Sequence, residues 1–542
     1  MERLGPRRAA MLALTAGLTL GLLALAWPVL AGGGWTVWEA LILLCLAVNA
    51  PWLGLAAATG LAGLAIRLLA RDPDAMVLPA LRAAEGPVAG RTLLACCVRL
   101  EDMGAVLPPL ARLLRDLQAE HGDAFVLGIL SDTPAGPDAA AEAAAVAALA
   151  ARFPPGAVRY RRRAANTGFK AGNLMDFLDR HAAGFDFALV LDADSEMTAA
   201  AVLRLVRVMQ ADPGLAILQA NTAPTGAETA CARLLGLRIR HGGRIWSTGQ
   251  AWWQGPAGPY WGHNALLRIA AFRRDARLPL LPGGAHILSH DHAEAAMLHA
   301  AGWGVRVLPD DAGSHERHPP DLQALFGRDL RWAAGNMQYL RLLRRPEFGR
   351  LGRFQMLLAV LHYALAPPWL ALLPLAALNV ATGGGEGTPR DLLLALLLAG
   401  FAAANLPALA GYAEALLRPG LGTRGLGQAL LFGLLLDVLE ALERTATLAV
   451  LGLRRLGGWA PQRREARAIG WAEAARRFGP QTLAGLALAA AFASGGAFPL
   501  LAALPALAGL LLAVPLAVLT ARPEAPRRRH PAALRPARPP AE

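Results

Sequence analysis

The chain has 542 residues, of which 55% are hydrophobic and 17% are charged, and its formal net charge is +13. This composition is too apolar for an ordinary soluble enzyme of this length and predicts a membrane protein. The arginines collect beside apolar runs and in the tail, which indicates an anionic membrane surface, and we expect no nucleic acid as a partner. The four cysteines show neither zinc-binding spacing nor a disulfide framework, which predicts a cytosolic polar part.

Residues 1–66 are predicted to contain two transmembrane helices. The uncharged runs 9–31 and 40–66 each exceed the roughly 20 residues that a bilayer crossing needs. A signal peptide is set aside because the first run is too long for one and a second span follows. Arginines precede and follow the pair but are missing from its connection, so both flanks are expected on the cytoplasmic side.

Residues 67–353 are predicted to form a cytosolic α/β domain inserted between transmembrane helices. Short apolar runs alternate with helical patterns, which is typical of a largely parallel sheet covered by helices. The predicted strands are "TLLACCV", "AFVLGIL", "VRYRRR", "FALVLDAD" and "LAILQA", and residues 139–152 are a predicted helix.

Four further spans are expected after this domain, which gives six in total with both termini inside. Two lie in 354–412, at 354–380 and 392–412, and two lie in 482–521, broken at "SGGAFP". Residues 413–481 are predicted to contain an interfacial helix, 428–453, because four charged side chains and basic flanks disfavour a crossing there. The basic, proline-rich stretch 522–542 is predicted to be disordered.

Polar residues at predicted strand ends are candidates for a binding site. Asp192 and Asp194 follow a buried strand, where the carboxyl edge of an α/β sheet binds ligands and two carboxylates could hold a divalent cation. Asp132 ends an earlier strand, and Lys170 lies between glycines ahead of a helix, where it could face a phosphate. The structural alternatives are an accidental Asp-x-Asp, a turn-capping aspartate and a solvated lysine.

Two later motifs are also candidates for chemistry. Asp291 opens an amphipathic helix, where the structural alternative is a helix cap. A metal site at "HDH" is disfavoured because three consecutive residues cannot all face one ion. Arg331 and Trp332 precede a basic run that leads into the membrane, where interfacial anchoring is the alternative.

In this order the motifs resemble the processive, membrane-integrated glycosyltransferases of family two, and within them the glucosyltransferases of osmoregulated periplasmic glucan synthesis. The resemblance is carried by "RRAANTGFKAGN", "VLDADSEM", "YWGHNALLRI", "LPGG", "ILSHD", "AGWGVRVLPD", "RDLRWAAGNMQ" and "GGWAPQRREARAIGWAEAARRFGP". Arg328 stands where the wider family has the Gln of Gln-x-x-Arg-Trp, and Leu100-Glu101 stands where Asn-Glu is expected. The long amino-terminal extension of some of these glucosyltransferases is missing.

The resemblance implies a Rossmann-like domain of GT-A type, UDP-glucose as donor, an inverting transfer, and Mg²⁺ or Mn²⁺ as cofactor. It implies that Asp291 is the catalytic base. The implied donor-binding residues are Asp132, Lys170, Asn173, Asp192 and Asp194, with Asp194 and Asp192 on the metal. The implied acceptor-binding residues are Trp261, His263, Asn264, Arg331 and Trp332, and a loop with Trp459, Gln462 and Arg463 is expected to close over the donor.

The expected location is a bacterial inner membrane. The growing glucan, the lipid bilayer and a periplasmic glucan-processing protein are the expected partners besides UDP-glucose. His362, Tyr363 and Trp369 on the third span are candidates for lining a glucan channel, with helix packing as the alternative. Another processive β-glucan synthase, a single-transfer enzyme acting on a lipid carrier and a non-catalytic nucleotide-sugar sensor remain alternatives, although a sensor would not need Asp291, Arg331 or Trp332.

Overall fold

The computed structural model describes residues 4–418, 423–453 and 465–524. Its strands are β1 (Thr92–Val98), β2 (Phe125–Ser131), β3 (Val158–Arg162), β4 (Phe187–Leu191), β5 (Glu196–Met197), β6 (Leu215–Ala220), β7 (Ala223–Thr225), β8 (Ala265–Arg268), β9 (Gly304–Leu308) and β10 (Ser314–Arg317).

The helices occur before, between and after these strands. They are α1 (Leu4–Ala31), α2 (Val37–Leu69), α3 (Pro73–Val77), α4 (Met103–His121), α5 (Pro137–Ala150), α6 (Phe169–His181), α7 (Ala199–Ala211), α8 (Ala230–Gln254), α9 (Ile269–Asp275), α10 (Asp291–Ala300), α11 (Leu322–Met337), α12 (Gly349–Ala364), α13 (Ala366–Ala381), α14 (Arg390–Leu417), α15 (Leu426–Leu453), α16 (Trp471–Ala493), α17 (Ala497–Leu511) and α18 (Ala513–Thr520). Short 3₁₀ helices span Pro79–Ala83, Gly122–Ala124, Gln338–Arg341 and Pro346–Phe348.

The central sheet has seven strands in the order β3-β2-β1-β4-β8-β6-β9. Neighbouring strands are parallel except at β8, which runs antiparallel to β4 and β6. Strands β2, β4 and β6 are buried along their whole length, which explains why they read as continuous apolar runs. All five predicted strands are present, and the α/β fold class is confirmed.

Helices cover both faces of this sheet. Because successive side chains of a strand point to opposite faces, Leu94 of β1 packs in one core with α4 and α7, and Leu93 packs in the other with α6, α9 and α10. A second, three-stranded sheet in the order β5-β10-β7 lies beside the ends of β4 and β6. The predicted parallel sheet omitted β8, β9 and this small sheet. Four of these five strands have only two to four residues, which is too short for a periodic pattern.

Within the described residues, four helical segments are long and apolar enough to cross a membrane: Leu4–Ala31, Val37–Leu69, Pro346–Ala381 and Arg390–Leu417. A fifth is possible if the bent pair α17 and α18, which meet at 50°, forms one span. The chain thus carries the apolar helices expected of a membrane protein. The predicted count of six stays a prediction, since α16 begins with charged residues and only its second half is apolar.

Helix α15 is continuous and packs against α8, α11, α13 and α17. Two of its charged side chains are paired by residues of α8 and α11. Asp437 accepts a 2.7 Å hydrogen bond from Arg238 on α8, and Arg444 donates at 2.8 Å to Asp329 on α11. Pairing of this kind lets a charged helix lie within a bundle, and the interfacial placement of α15 stays a prediction.

The apolar helices are fixed to the α/β domain through α8. A Cβ atom on Gly63 of α2 would collide with the Ile245 carbonyl of α8, and one on Gly249 would collide with the Thr59 carbonyl. The two backbones therefore touch at a crossing that only glycine permits. Because α8 leads directly from the small sheet, this crossing sets the position of the sheet edge relative to the apolar helices.

Candidate active site at the carboxyl edge of the sheet

Lys170 and Asp192 form the centre of the candidate site. Asp192 follows the last residue of β4, and Lys170 lies in the first turn of α6. The Lys170 ammonium donates hydrogen bonds to the Asp192 carboxylate and, at 2.6 Å, to the Gly262 carbonyl oxygen. Burial is the largest single effect and lowers the pKa of Lys170, but Asp192 and other neighbouring groups together shift that pKa upward overall. A fixed positive charge therefore stands beside the first aspartate of the Asp-x-Asp motif.

The loop that carries Gly262 reaches this edge because β8 is antiparallel. Ala265 at the start of β8 pairs with Val190 near the end of β4, so the residues before β8 lie over the carboxyl ends of its neighbours. The buried side chain of Gln219 fixes this loop by accepting from the Trp261 N–H at 2.8 Å and donating to the His263 carbonyl at 2.8 Å. The sequence did not single out Gln219, because it reads as one polar residue in an apolar strand.

The contacts of Asn264 join the loop before β8 to the small sheet. It adopts a left-handed backbone conformation with φ of 47°, and its buried amide donates to the Ser314 hydroxyl of β10 at 2.9 Å. Asn173 is likewise occupied, since its amide donates to the Leu130 carbonyl at 3.0 Å and accepts from Arg161 at 2.8 Å. These two side chains hold elements together, and their predicted substrate contacts stay predictions.

Asp132 is paired by a residue that the sequence analysis did not single out. The Arg163 guanidinium donates from Nε and Nη2 to the two carboxylate oxygens of Asp132, each at 2.7 Å. Arg163 also donates to the carbonyls of Thr167 and Phe169, at 2.8 and 3.0 Å. The same guanidinium therefore ties the end of β2 to the turn that precedes Lys170.

A further acid, the half-buried Glu316 of β10, lies close to the Asp-x-Asp motif. Its carboxylate is 3.8 Å from His263 Nε2 and accepts a 3.4 Å hydrogen bond from the Thr222 hydroxyl. Burial, reinforced by the charge of Asp194, raises the pKa of Glu316 even though His263 works against it. The sequence gave no signal for Glu316, since its position depends on the pairing of β10 in the small sheet.

Asp291 begins α10 on the other side of Gly262. A Cβ atom on Gly262 would lie 3.5 Å from the His290 ring and 3.6 Å from Asp291 Cβ, so both residues adjoin the loop that Lys170 holds. His290 is the N-cap residue of α10 and the helix has no side-chain cap, so the structure does not bear out the capping alternative for Asp291. The Tyr339 hydroxyl lies 3.5 Å from one Asp291 oxygen and donates at 2.8 Å to the Ser289 carbonyl.

Helix α11 carries the remaining predicted residues, Arg331 and Trp332. Trp332 is 42% exposed, whereas the other residues of α11 are buried or half-buried. The central guanidinium carbon of Arg328 lies 4.4 Å from the centre of its ring. Arg331 is partly buried.

The whole chain was compared with known proteins. The family model described as glycosyl transferase family group 2 matches residues 187–407. The chain is 34% identical to a protein of Caulobacter vibrioides named "Glucans biosynthesis glucosyltransferase H", over 90% of this chain and 78% of that protein. A protein of the same name from Rhodopseudomonas palustris is 34% identical over 95% of this chain and 76% of its own length.

The chain belongs to this glucosyltransferase family. It is therefore a glycosyltransferase, and a nucleotide-sugar donor and an acceptor follow from that activity. A solved mannosyltransferase from Pyrobaculum calidifontis, in complex with GDP-Man and Mn²⁺, matches 67% of this chain and 99% of its own with a TM-score of 0.39 and 16% identity. At this distance the likeness says nothing about the donor or the metal of the present enzyme.

The metal prediction rests on Asp192 and Asp194. In the described part of this glycosyltransferase, no group of three or more His, Cys, Asp or Glu side chains is arranged to hold a metal ion. Mg²⁺ is commonly held by one or two carboxylates together with substrate phosphates, so the two aspartates fit an ion that shares its ligands with a diphosphate. The choice of metal stays a prediction.

The three predicted loop residues Trp459, Gln462 and Arg463 fall outside the described residues. The predicted channel residues lie on α12 and α13. Tyr363 is buried in α12, and its hydroxyl donates to Asp329 at 3.2 Å, which is the packing role weighed as the alternative to channel lining. The His362 ring lies 6.1 Å from the ring of Trp52 on α2, and Trp369 is partly exposed on α13.

Proposed function

We propose that this glycosyltransferase is an inverting enzyme that polymerises glucose from UDP-glucose into the backbone of a periplasmic glucan. One observation carries the proposal beyond the names of the relatives. Lys170 contacts both Asp192 and the Gly262 carbonyl, and Asp291 adjoins the same glycine. A cation for a leaving diphosphate and a base for an attacking hydroxyl thus both lie next to Gly262.

The donor side of the site would bind the diphosphate of UDP-glucose. Lys170 supplies a fixed positive charge where negative charge develops on departing UDP. Asp194 and Asp192 would hold Mg²⁺, which when bound neutralises charge on the diphosphate oxygens. Arg163 keeps the Asp132 carboxylate oriented at the end of β2, where it would accept hydrogen bonds from the nucleoside.

The acceptor side would position one hydroxyl of the glucan end for attack. Asp291 would take the proton of that hydroxyl as its oxygen approaches the anomeric carbon from the face opposite the diphosphate. A single displacement of this kind inverts the anomeric configuration. Trp332 offers a flat apolar face for the acceptor sugar, beside the helices that follow it.

The enzyme would lie in a bacterial inner membrane with its α/β domain and both termini in the cytoplasm, where UDP-glucose is made. The α/β domain occurs between apolar helices that precede and follow it, which supports this arrangement. The glucan would cross the membrane through the enzyme's own helices and meet a glucan-processing protein outside.

The direct test uses purified protein in nanodiscs with each of several labelled UDP-sugars. We expect polymer from UDP-glucose alone, dependent on Mg²⁺ or Mn²⁺, with newly formed linkages in the inverted, β configuration by NMR. Polymer from another UDP-sugar would refute the choice of glucose. A single added sugar on extracted lipid would refute polymerisation and support a lipid-carrier enzyme.

A further inference from the structure

Arg328 and Trp332 lie one turn apart on α11, at positions i and i+4, so their side chains share one side of the helix. The central guanidinium carbon of Arg328 is 4.4 Å from the Trp332 ring centre, which is stacking distance for a cation over an aromatic face. One face of the indole is therefore covered by a planar cation. Trp332 is nevertheless 42% exposed, so part of its surface stays open to a ligand.

The charge of Arg328 also acts on residues in and just after β10. Burial and, second to it, the Arg328 cation lower the pKa of His318 to about 3. The same cation lowers the pKa of Glu316, against the stronger effect of burial. Glu316 lies beside His263, so the charge of Arg328 is felt at the acidic edge of the sheet.

We propose that Arg328 is a positioning residue for the acceptor, which holds the Trp332 ring in one orientation and leaves one face for a sugar. This inference rests on the proposed function, in which Trp332 binds the glucan end. A glutamine, as in the motif of the wider family, has no delocalised cation and cannot hold the ring in this way. The stacked cation also makes the indole platform part of a rigid helix surface, which lowers the entropy lost when a sugar stacks on it.

If Arg328 has this role, its loss should weaken acceptor binding and leave donor binding unchanged. Loss of a cation–π contact of this kind should weaken the binding of a sugar to the Trp332 ring by about 2- to 30-fold. A glucan that is held less tightly leaves earlier, so the polymer becomes shorter while the affinity for UDP is unchanged. Arg328→Lys keeps the charge without the planar fork and is expected to retain part of the effect.

The experiment compares wild type with Arg328→Ala, Arg328→Gln and Arg328→Lys, all as full-length protein in nanodiscs. Calorimetry measures the binding of UDP and of β-linked glucose tetrasaccharides of each linkage, and chromatography measures polymer length. Arg341→Ala is the matched control, because Arg341 is an exposed arginine just beyond α11. We expect Arg328→Ala and Arg328→Gln to weaken tetrasaccharide binding by about 2- to 30-fold and to shorten the polymer, with UDP affinity and the control unchanged.

A second background shows whether Arg328 acts through the indole ring. In a Trp332→Ala protein, adding Arg328→Ala should change tetrasaccharide binding little further, since the ring it positions is gone. An equal loss in both backgrounds, or unchanged tetrasaccharide binding in the single variant, would overturn the proposal. A wild type that binds tetrasaccharide but makes no polymer from UDP-glucose would overturn the proposed function alone, and one that binds no tetrasaccharide would overturn both.

Discussion

His290 Nδ1 lies 2.7 Å from Oε2 of Glu294, which is one turn further along α10. His290 directly precedes Asp291 in the chain. Burial is the largest single effect and lowers the pKa of His290, but the charge and hydrogen bond of Glu294 together with the charge of Asp291 shift that pKa upward overall. Burial also raises the pKa of Glu294, with His290 working against it. A buried proton-binding pair thus adjoins the residue expected to act as base.

The pair should make stability fall as the pH rises. A folded-state pKa of His290 above the unfolded value of about 6.5 means that its contribution is complete below that pH and is lost as the pH passes the raised value. In Glu294→Gln the main causes of the upward shift of the His290 pKa are gone, and burial is opposed only by the weaker effect of Asp291. We expect the melting temperature of wild type to decrease more between about pH 6 and pH 9 than that of the variant.

Glu120→Gln is the control for this measurement, because Glu120 is exposed and lies 3.8 Å from the neighbouring His121. Its melting temperature should follow the wild-type pH profile. An unchanged profile in Glu294→Gln would show that the pair does not govern the stability of this region.

Asp291→Asn should abolish sugar transfer while UDP binds with wild-type affinity. The amide cannot accept the acceptor proton, and losing a general base costs about 10²- to 10⁴-fold in rate. Turnover is measured as UDP release and UDP affinity by calorimetry. Full activity in the variant would remove Asp291 from the mechanism, and loss of UDP binding would move it to the donor side.

Asp194→Ala should remove the part of UDP affinity that depends on Mg²⁺, because the carboxylate and the diphosphate would share the ion.

Lys170→Ala should instead weaken UDP binding both with Mg²⁺ and with chelator, since its ammonium acts without the metal. Titrations of both variants under the two conditions separate these roles. Equal affinity of wild type with and without chelator would contradict the metal assignment.

The sequence predicted those parts of the site that depend on local pattern. Asp192 and Lys170 were identified because each lies next to a strand end or a helix start, and the structure brings them together. Arg163 and Glu316 were not, because nothing local distinguishes them. Arg163 matters through its fit to Asp132, and Glu316 through the pairing of a four-residue strand.

The same distinction applies to the fold. Strand β1 was predicted at its observed bounds, Thr92–Val98, because a fully buried strand is apolar throughout. Strand β8 was not predicted, and its antiparallel direction, which delivers Gly262 to the site, follows from the path of the chain after α8. The resemblance implied that Asn264 binds the acceptor, and this stays a prediction. No local pattern showed that its left-handed backbone and buried amide also serve the junction with β10.

The ion pair between Arg67 of α2 and Glu414 of α14 should be important for stability. The two side chains are 4% and 3% exposed, with Arg67 Nε 2.7 Å from the carboxylate. Arg67→Ala leaves a buried carboxylate without its partner, which costs about 3–5 kcal/mol. Thermal unfolding in nanodiscs measures the loss.

The matched control for that pair is Arg277→Ala. Arg277 is also 2.7 Å from a carboxylate, that of Asp179, but its side chain is 53% exposed. Such surface pairs contribute about 0–1 kcal/mol. Similar losses in the two variants would show that burial does not decide the contribution of Arg67.

Export of the glucan can be tested with purified protein in sealed vesicles, sorted so that the α/β domain faces outward. A polymer with many hydroxyl groups cannot enter bare hydrocarbon, because each unpaired group would cost several kcal/mol, so the apolar helices must provide the path if this enzyme exports its product. With UDP-glucose added only outside, we expect labelled glucan that an external glucanase digests only after detergent is added. Trp332→Ala, which should weaken delivery of the glucan to the helices, is expected to shift polymer to the digestible fraction. Active enzyme whose polymer is fully digested without detergent would show that a separate protein carries out export.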